Sequence, residues 1–313
     1  MEVLPGKVAF LFPGQGSQKV GMGREVARVS EVAAQTFSEA SSALDLDVSQ
    51  LCFDGPAETL GLTEFTQPAI LSTSIALFRA LGEKPDCAAG HSLGEYSAHV
   101  AAGTLAFADA VRLVRERGRL MQEAVPEGQG AMAAVMGLSS ARVVEACAAA
   151  TGHVEPANFN SPAQTVVAGE RAAVESLSAA LKGQARVVPL SVSAPFHSRL
   201  MQPAAEALRP RLEAATFKTP RFPVYSNVDA LPVTDGNQAR EMLYQQVASA
   251  VRWESCILRM LEDGVTLFVE VGPGKVLTGL VGRIVPQVAR LNVETPEHFA
   301  EARSLIQATR GLK

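Results

Sequence analysis

Two rhythms of apolar positions alternate along the chain. Lys7 to Phe12, Cys87 to Gly90, Pro223 to Asn227 and Leu267 to Val271 are short, nearly unbroken apolar runs, the pattern of strands buried on both faces. Between them, Ala27 to Leu44, Gln67 to Leu81 and Phe107 to about Ala124 carry apolar residues at three- and four-residue spacing and predict helices. Thr66-Gln67-Pro68 leads the second of these, with proline near its first turn. At Glu127-Gly128-Gln129-Gly130 the texture changes. Ala131 to Leu138 predicts a strand, Ser139 to Ala150 a helix opened by a serine cap, and Val154 to Asn158 and Thr165 to Ala168 two more strands. Arg171 to Lys182 then predicts a helix and Arg186 to Val192 a last strand. This βαββαβ order, within about 65 residues, matches the ferredoxin-like split arrangement. It predicts a small domain at 128–194 inserted into a larger one made of 1–127 and 195–313. Beyond it, Ser193-Ala194-Pro195-Phe196-His197-Ser198 forms a turn into a helix through Ala215. Gly272-Pro273-Gly274-Lys275 leads into a helix at Val276 to Ile284. The tail past Thr295 predicts a surface helix ending at a disordered Gly311-Leu312-Lys313.

The stretch with the most chemistry is Gly90-His91-Ser92-Leu93-Gly94-Glu95, at the junction of a predicted strand and a predicted helix. Gly-x-Ser-x-Gly is the nucleophile elbow, in which serine sits on a sharp strand-to-helix turn and only glycine leaves room on either side. The helix that begins there also points free backbone N–H groups at any negative charge gathering near the serine. The helix at Phe107 carries a second signal. Leu113, Val114, Leu120 and Met121 mark its apolar stripe, and Arg117 lies on the same face. An arginine there snorkels, pairs with an internal carboxylate, or serves as a fork for a substrate carboxylate. His197, one of five histidines, sits at a strand end where it can reach a site above a parallel sheet. Pro13-Gly14-Gln15-Gly16 resembles a phosphate cradle, but no Gly-Lys-Ser/Thr follows and no Gly-x-Gly-x-x-Gly is completed, so a nucleotide site is not expected.

Composition narrows the class. The 313 residues are 47% hydrophobic, enough for a large core, and the net charge of −4 without a basic run argues against nucleic acid or an anionic membrane as partner. No stretch reaches the ~18 apolar residues of a membrane span, and the first ten residues lack a signal region. A cytosolic protein is expected. Cys52, Cys87, Cys147 and Cys256 lack ligand spacing and are expected to be reduced structural thiols, with no metal.

Seven motifs in order carry a resemblance that spans nearly the whole chain. They are Phe12-Pro13-Gly14-Gln15-Gly16-Ser17-Gln18, Thr66-Gln67-Pro68-Ala69, the elbow, Ala157-Asn158-Phe159-Asn160-Ser161-Pro162, Pro195-Phe196-His197-Ser198, Tyr225-Ser226-Asn227 and Glu270-Val271-Gly272-Pro273-Gly274. In this the chain resembles the malonyl-CoA:acyl carrier protein transacylases. The resemblance implies an α/β fold, with an α/β-hydrolase-like large domain interrupted by a ferredoxin-like one. It implies Ser92 as nucleophile, His197 as general base, and the backbone amides of Gln15 and Leu93 as oxyanion hole. It further implies Arg117 as partner of the malonyl carboxylate, with Phe196, Gln67 and Met121 as substrate-binding residues. Family members orient the histidine with a backbone carbonyl, which the resemblance places at Arg252. Members often carry Val-Gln-Trp where this chain has Val251-Arg252-Trp253, and an added cation would perturb acyl binding or the basicity of His197.

The implied partners are malonyl-CoA and a holo acyl carrier protein, with coenzyme A as part of the substrate, no separate cofactor, and a monomeric enzyme. Carrier proteins are acidic, so Lys275, Arg283 and Arg199, which flank the predicted site loops, are candidate docking residues. Three rivals share part of the pattern. A trans-acting acyltransferase of polyketide synthesis would carry every motif. A serine esterase or thioesterase would add an acid between serine and histidine. A non-catalytic carrier-binding subunit would have no need of the arginine.

Overall fold

Strand polarity divides the molecule in two. The computed structural model describes residues 5–192 and 194–311, so Ser193 at the head of the proline turn, and the predicted terminus at Leu312 and Lys313, lie outside the described residues. The strands are β1 (Lys7–Phe12), β2 (Cys87–Gly90), β3 (Gly130–Met136), β4 (Val154–Ser161), β5 (Gln164–Glu170), β6 (Arg186–Pro189), β7 (Val224–Tyr225), β8 (Pro232–Val233), β9 (Val265–Val271) and β10 (Ala289–Val293). Six form a sheet in the order β10-β9-β1-β2-β7-β8, parallel except for the final antiparallel pair.

The apolar runs become the centre of this sheet because both of its faces are covered. Val8, Phe10 and Phe12 of β1 face one core with Ile70, Leu71 and Val114, while Ala9 and Leu11 face another with Trp253, Ile257 and Leu277. Strand register then decides which loops meet. Phe12 pairs with Gly90, so the loop leaving β1 and the elbow leaving β2 emerge side by side at the carboxyl ends of the strands.

The four remaining strands form an antiparallel sheet in the order β4-β5-β3-β6, the order of a split βαββαβ unit. Val135, Val143, Val167, Val174 and Leu177 pack beneath it, and Ser139 caps its first helix by accepting from the Arg142 N–H. β4 is tied to the larger sheet's domain by backbone bonds. Phe159 N–H donates to the Val251 carbonyl at 2.9 Å, and Val251 N–H donates to that of Ala157 at 2.8 Å.

Four helices, Val48–Asp54, Ala57–Gly61, Gly236–Gln246 and Trp253–Glu262, lie outside the predicted set, and two of the predicted ones differ in their bounds. Residues 24–44 form two helices, Arg24–Val29 and Glu31–Leu44, because Ser30 is extended at φ −131°. The next long helix starts at Thr63, one turn early, so Pro68 lies inside it. The extra turn is held by the Phe65 and Thr66 N–H groups, which both donate to the Leu62 carbonyl. Helix Phe107–Glu123 packs against Thr63–Leu81 with Gly118 at the crossing, where a Cβ would stand 2.6 Å from the Thr63 carbonyl oxygen. That close approach sets Arg117 beside Gln67.

Gly118→Ala therefore has two opposing effects. It should improve helix propensity by about 1 kcal/mol but force the crossing apart at a cost of about 1–3 kcal/mol or more. A net loss of stability in urea unfolding is expected, and an unchanged or higher midpoint would show that the crossing yields freely.

Candidate active site

The elbow depends on the absence of side chains. A Cβ on Gly90 would lie 1.8 Å from the Gly94 carbonyl carbon, and one on Gly94 would lie 2.0 Å from the Phe12 carbonyl oxygen. Ser92 between them adopts φ 53°, a left-handed conformation that a serine holds only when its surroundings enforce it. Asn227, at the end of β7, supplies part of that enforcement. Its Nδ2 donates to the Gly90 carbonyl at 2.8 Å and its Oδ1 accepts from the Ser92 N–H at 2.7 Å. The loop after β1 presses on the same turn, since a Cβ on Gly14 would stand 2.4 Å from the His91 carbonyl oxygen. Gln15 is thereby carried to the rim of the site.

His197 stands opposite, also left-handed at φ 60°. Its Nε2 lies 2.6 Å from Ser92 Oγ, and its Nδ1 lies 3.0 Å from the backbone carbonyl of Gln246. A carbonyl only accepts, so Nδ1 carries the proton and Nε2 presents its lone pair to the serine hydroxyl. Burial, reinforced by the Arg117 charge, pulls His197 down to about 3, so the imidazole is neutral at ordinary pH.

The orienting carbonyl is not that of Arg252. That carbonyl accepts the first helical bond, from Cys256 N–H at 3.0 Å, while the Arg252 N–H donates to the Asn227 carbonyl at 2.9 Å. Its side chain is exposed, which removes the reason to expect an added cation at the site.

Arg117 is 1% exposed. Its two terminal nitrogens donate to Gln67 Oε1 at 2.8 Å, Gln246 Oε1 at 2.9 Å and Ser92 Oγ at 3.1 Å, and its guanidinium lies 5.6 Å from the centre of the Tyr96 ring. Every one of these partners is neutral, and its Nε has none. Among the described residues no carboxylate forms a salt bridge with it, and the carboxylate whose charge acts on it is the buried Glu95.

Gln15, Gln67, Leu93, Met121 and Phe196 line one cavity of about 110 Å³ together with Ser92, Arg117 and His197. That is the liquid volume of roughly three or four waters, the size of a short acyl group. Met132 closes it from the antiparallel sheet, and Leu190 and Val192 from the segment that follows β6, which ends at Pro189, short of the predicted Val192. Of the residues expected at the site, only Arg252 is elsewhere. Lys275, Arg283 and Arg199 are exposed, and Arg283 donates to Gln164 Oε1. A wider groove of about 570 Å³ shares no residue with the cavity, and its Arg112, Arg115 and Arg119 are paired with Asp109, Glu64 and Glu116.

Sequence reasoning did not assign roles to Glu95, Asn227 or Gln246. Gln246 left the same trace as Arg117. It falls with Gly236, Ala239 and Leu243 on the buried stripe of helix Gly236–Gln246, a polar residue at an apolar position.

Residues 9–296 match the family model described as acyl transferase domain. The chain is 50% identical over 305 residues to the malonyl CoA-acyl carrier protein transacylase of Escherichia coli strain K12, covering 95% of this chain and 99% of that one. It is 47% identical over 299 residues to the Bacillus subtilis protein of the same name, covering 93% and 94%. A solved acyl carrier protein S-malonyltransferase from Vibrio cholerae superposes with a TM-score of 0.92 at 46% identity, over 95% and 99% of the two chains. A malonyl-transacylase solved in complex with a type II PKS acyl-carrier protein gives 0.91 at 44% identity, over 97% and 99%.

The state of His197 makes a prediction about stability. An unfolded imidazole titrates near 6.5, so between about pH 6.5 and 3 the unfolded chain binds a proton that the native site refuses. Stability should fall as pH falls through this window, by up to about 1.4 kcal/mol per unit from this group. The stability difference between wild type and His197→Asn, from urea unfolding, should be flat above pH 7 and move in the variant's favour toward pH 4. A difference that stays constant would mean the native site protonates as readily as the unfolded chain.

Proposed function

The chain belongs to the acyl transferase domain family, and from that membership we infer that it transfers the malonyl group from malonyl-CoA to the phosphopantetheine thiol of holo acyl carrier protein. The transfer runs through a malonyl ester on Ser92 and serves fatty acid synthesis. The observation that carries this reading is the buried Arg117 guanidinium, 3.1 Å from the nucleophilic oxygen, with neutral partners only. A cation so placed is matched by an acyl group that brings its own carboxylate.

The first half-reaction starts from the hydrogen bonds already present. Ser92 Oγ–H donates to His197 Nε2, and as Oγ attacks the thioester carbon its proton passes to the imidazole. Negative charge then develops on the thioester oxygen, to be met by the backbone N–H groups of Leu93, at the head of helix Gly94–Ala101, and of Gln15. Arg117 donates to Oγ before reaction, which holds a lone pair off its base-facing side until the malonyl carboxylate claims the guanidinium. The tetrahedral species collapses, the C–S bond breaks, and the imidazolium returns its proton to the coenzyme A thiolate. In the second half-reaction the phosphopantetheine thiol gives its proton to His197 and attacks the malonyl-serine ester. Serine leaves and takes that proton back from His197, so the incoming thiol's proton replaces the one that left with coenzyme A and the transfer calls for no cofactor.

The carbonyl of Gln246 at His197 Nδ1 supports transfer over hydrolysis by an esterase-type triad, in which an acid fills that position. No helix among the described residues is long and apolar enough to cross a membrane. We read the enzyme as a cytosolic monomer that hands acyl groups to a diffusing carrier. Gln67 and Met121 shape the acyl end of the cavity, and Phe196, 7% exposed beside His197, crowds the position an α-methyl branch would take.

Intact-protein mass spectrometry after mixing with malonyl-CoA tests this directly. A malonyl-sized adduct should form, vanish in Ser92→Ala, and discharge onto a holo carrier protein. Arg117→Ala should cut its formation by about 10²-fold or more, while acetyl-CoA labels wild type poorly. Methylmalonyl-CoA should also react poorly, and equal rates with both extenders would remove Phe196 from its role. Discharge to water alone would replace the transfer reading with a hydrolase.

A further inference from the structure

One buried carboxylate beside the site exchanges no proton in either half-reaction. Glu95 lies on the first turn of the elbow helix and is 0% exposed. Its Oε2 accepts from the Asn227 N–H at 3.0 Å and from Gln246 Nε2 at 2.7 Å, while its Oε1 has no partner. Both residues it holds are already in contact with the reacting groups. Asn227 Oδ1 takes the Ser92 N–H, and the Gln246 backbone carbonyl takes His197 Nδ1.

The Gln246 side chain connects the two sides of the site. Its Nε2 donates to Glu95 and to the Ser92 carbonyl at 3.0 Å, which leaves Oε1 to accept from Arg117 at 2.9 Å. An amide has one accepting and one donating end. If it turned over, an NH2 would face the guanidinium and an oxygen would face the carboxylate. Glu95, with the Ser92 carbonyl, therefore fixes which end Arg117 meets. The same amide stands between the Glu95 carboxyl and the guanidinium, which form no salt bridge, so no internal ion pair competes with an acyl carboxylate.

We propose that Glu95 is a positioning residue for acyl transfer, acting through the Gln246 amide to orient Arg117 and through Gln246 and Asn227 to hold His197 and Ser92. The inference rests on the malonyl-transfer reading and adds to it a group that touches neither acyl donor nor acceptor. Glu95 sits in a field made by Arg117 on the neighbouring helix, Asp229 in the loop after β7, Cys256 on helix Trp253–Glu262 and Tyr96 beside it. Burial pushes the carboxyl up to about 7, against the pull of its two N–H donors and Arg117. A group that gains its charge near neutrality beside Arg117 should leave a mark on the pH profile of acylation.

The test is the rate and KM of malonyl-serine formation from pH 5.5 to 8.5 for wild type, Glu95→Gln and Glu95→Ala, with thermal melting of each. Glu95→Gln keeps an acceptor for both N–H groups and should stay within about fivefold of wild type, while losing the inflection near pH 7. Glu95→Ala removes the shortest of the bonds that hold the Gln246 amide, leaving those to the Ser92 carbonyl and from Arg117, and should lose about 10²-fold, with KM for malonyl-CoA raised and the preference for malonyl over acetyl reduced. A merely structural carboxylate would lower the melting temperature of Glu95→Ala without changing the acyl preference, and that result overturns the proposal. So does a Glu95→Gln profile that superposes on wild type, which decides the matter if Glu95→Ala fails to fold. Absence of an adduct in wild type would sink the transfer reading itself, a separate outcome from an adduct that forms alike in all three proteins.

Discussion

A buried cation without an internal counter-charge is the constraint on which the site depends. Removing a guanidinium from water costs several kcal/mol, and a protein usually recovers this with a carboxylate. Here Arg117 has two glutamine oxygens, a serine hydroxyl and the face of a tyrosine ring. Dipoles solvate the charge without cancelling it. The remaining field faces a cavity of about 110 Å³ that Ser92 also lines, so in the proposed transfer selection of the acyl group and attack on it take place in one pocket. The same field is felt by His197, which burial and Arg117 together keep neutral, and a neutral imidazole is the form that can accept the serine proton.

Holding that arrangement falls to backbone packing. Gly90, Gly94, Gly14 and Gly118 are each positions where a Cβ would meet a backbone atom at under 3 Å. Three of them press the β1 loop, the elbow and its helix into one unit, and the fourth sets the helix crossing that delivers Arg117. Parallel pairing of β1 with β2 puts the loop and the elbow on one edge, so the backbone N–H groups proposed as oxyanion donors can converge from two separate turns. The left-handed backbones of Ser92 and His197 are the strained points of this assembly, one on each reacting partner.

Much of this is legible in the sequence where one residue type admits one physical reading. The elbow glycines, the continuous apolar strands, the βαββαβ texture and an arginine on an apolar stripe each express a local requirement. What the sequence does not show is set by tertiary contact. Family resemblance assigns the orienting carbonyl to Arg252, but any residue has a carbonyl, and only the fold reveals that this one caps a helix while that of Gln246 meets His197. Pro68 sits inside its helix because Leu62 closes an earlier turn, which no propensity rule foresees. β10 escapes the pattern because Arg290, Leu291 and Asn292 are only half-buried at the sheet's edge, so its five residues lack the apolar run of the central strands.

The use of a carbonyl to orient His197 follows from the same constraint as Arg117. A carboxylate at Nδ1 would strengthen the base, but it would also place a full negative charge in the region where an acyl carboxylate must dock. Attraction between Arg117 and the substrate would be weakened by that charge, and an arginine satisfied within the protein would no longer discriminate between acyl groups. A backbone dipole fixes the tautomer while adding no net charge. The acid that is present, Glu95, is kept behind an amide for the same reason, close enough to order Gln246 and too far to pair with Arg117. In the proposed transfer, acyl selection by charge thus constrains the form of the base, and a serine–histidine pair oriented by a carbonyl is compatible with a substrate that carries its own anion.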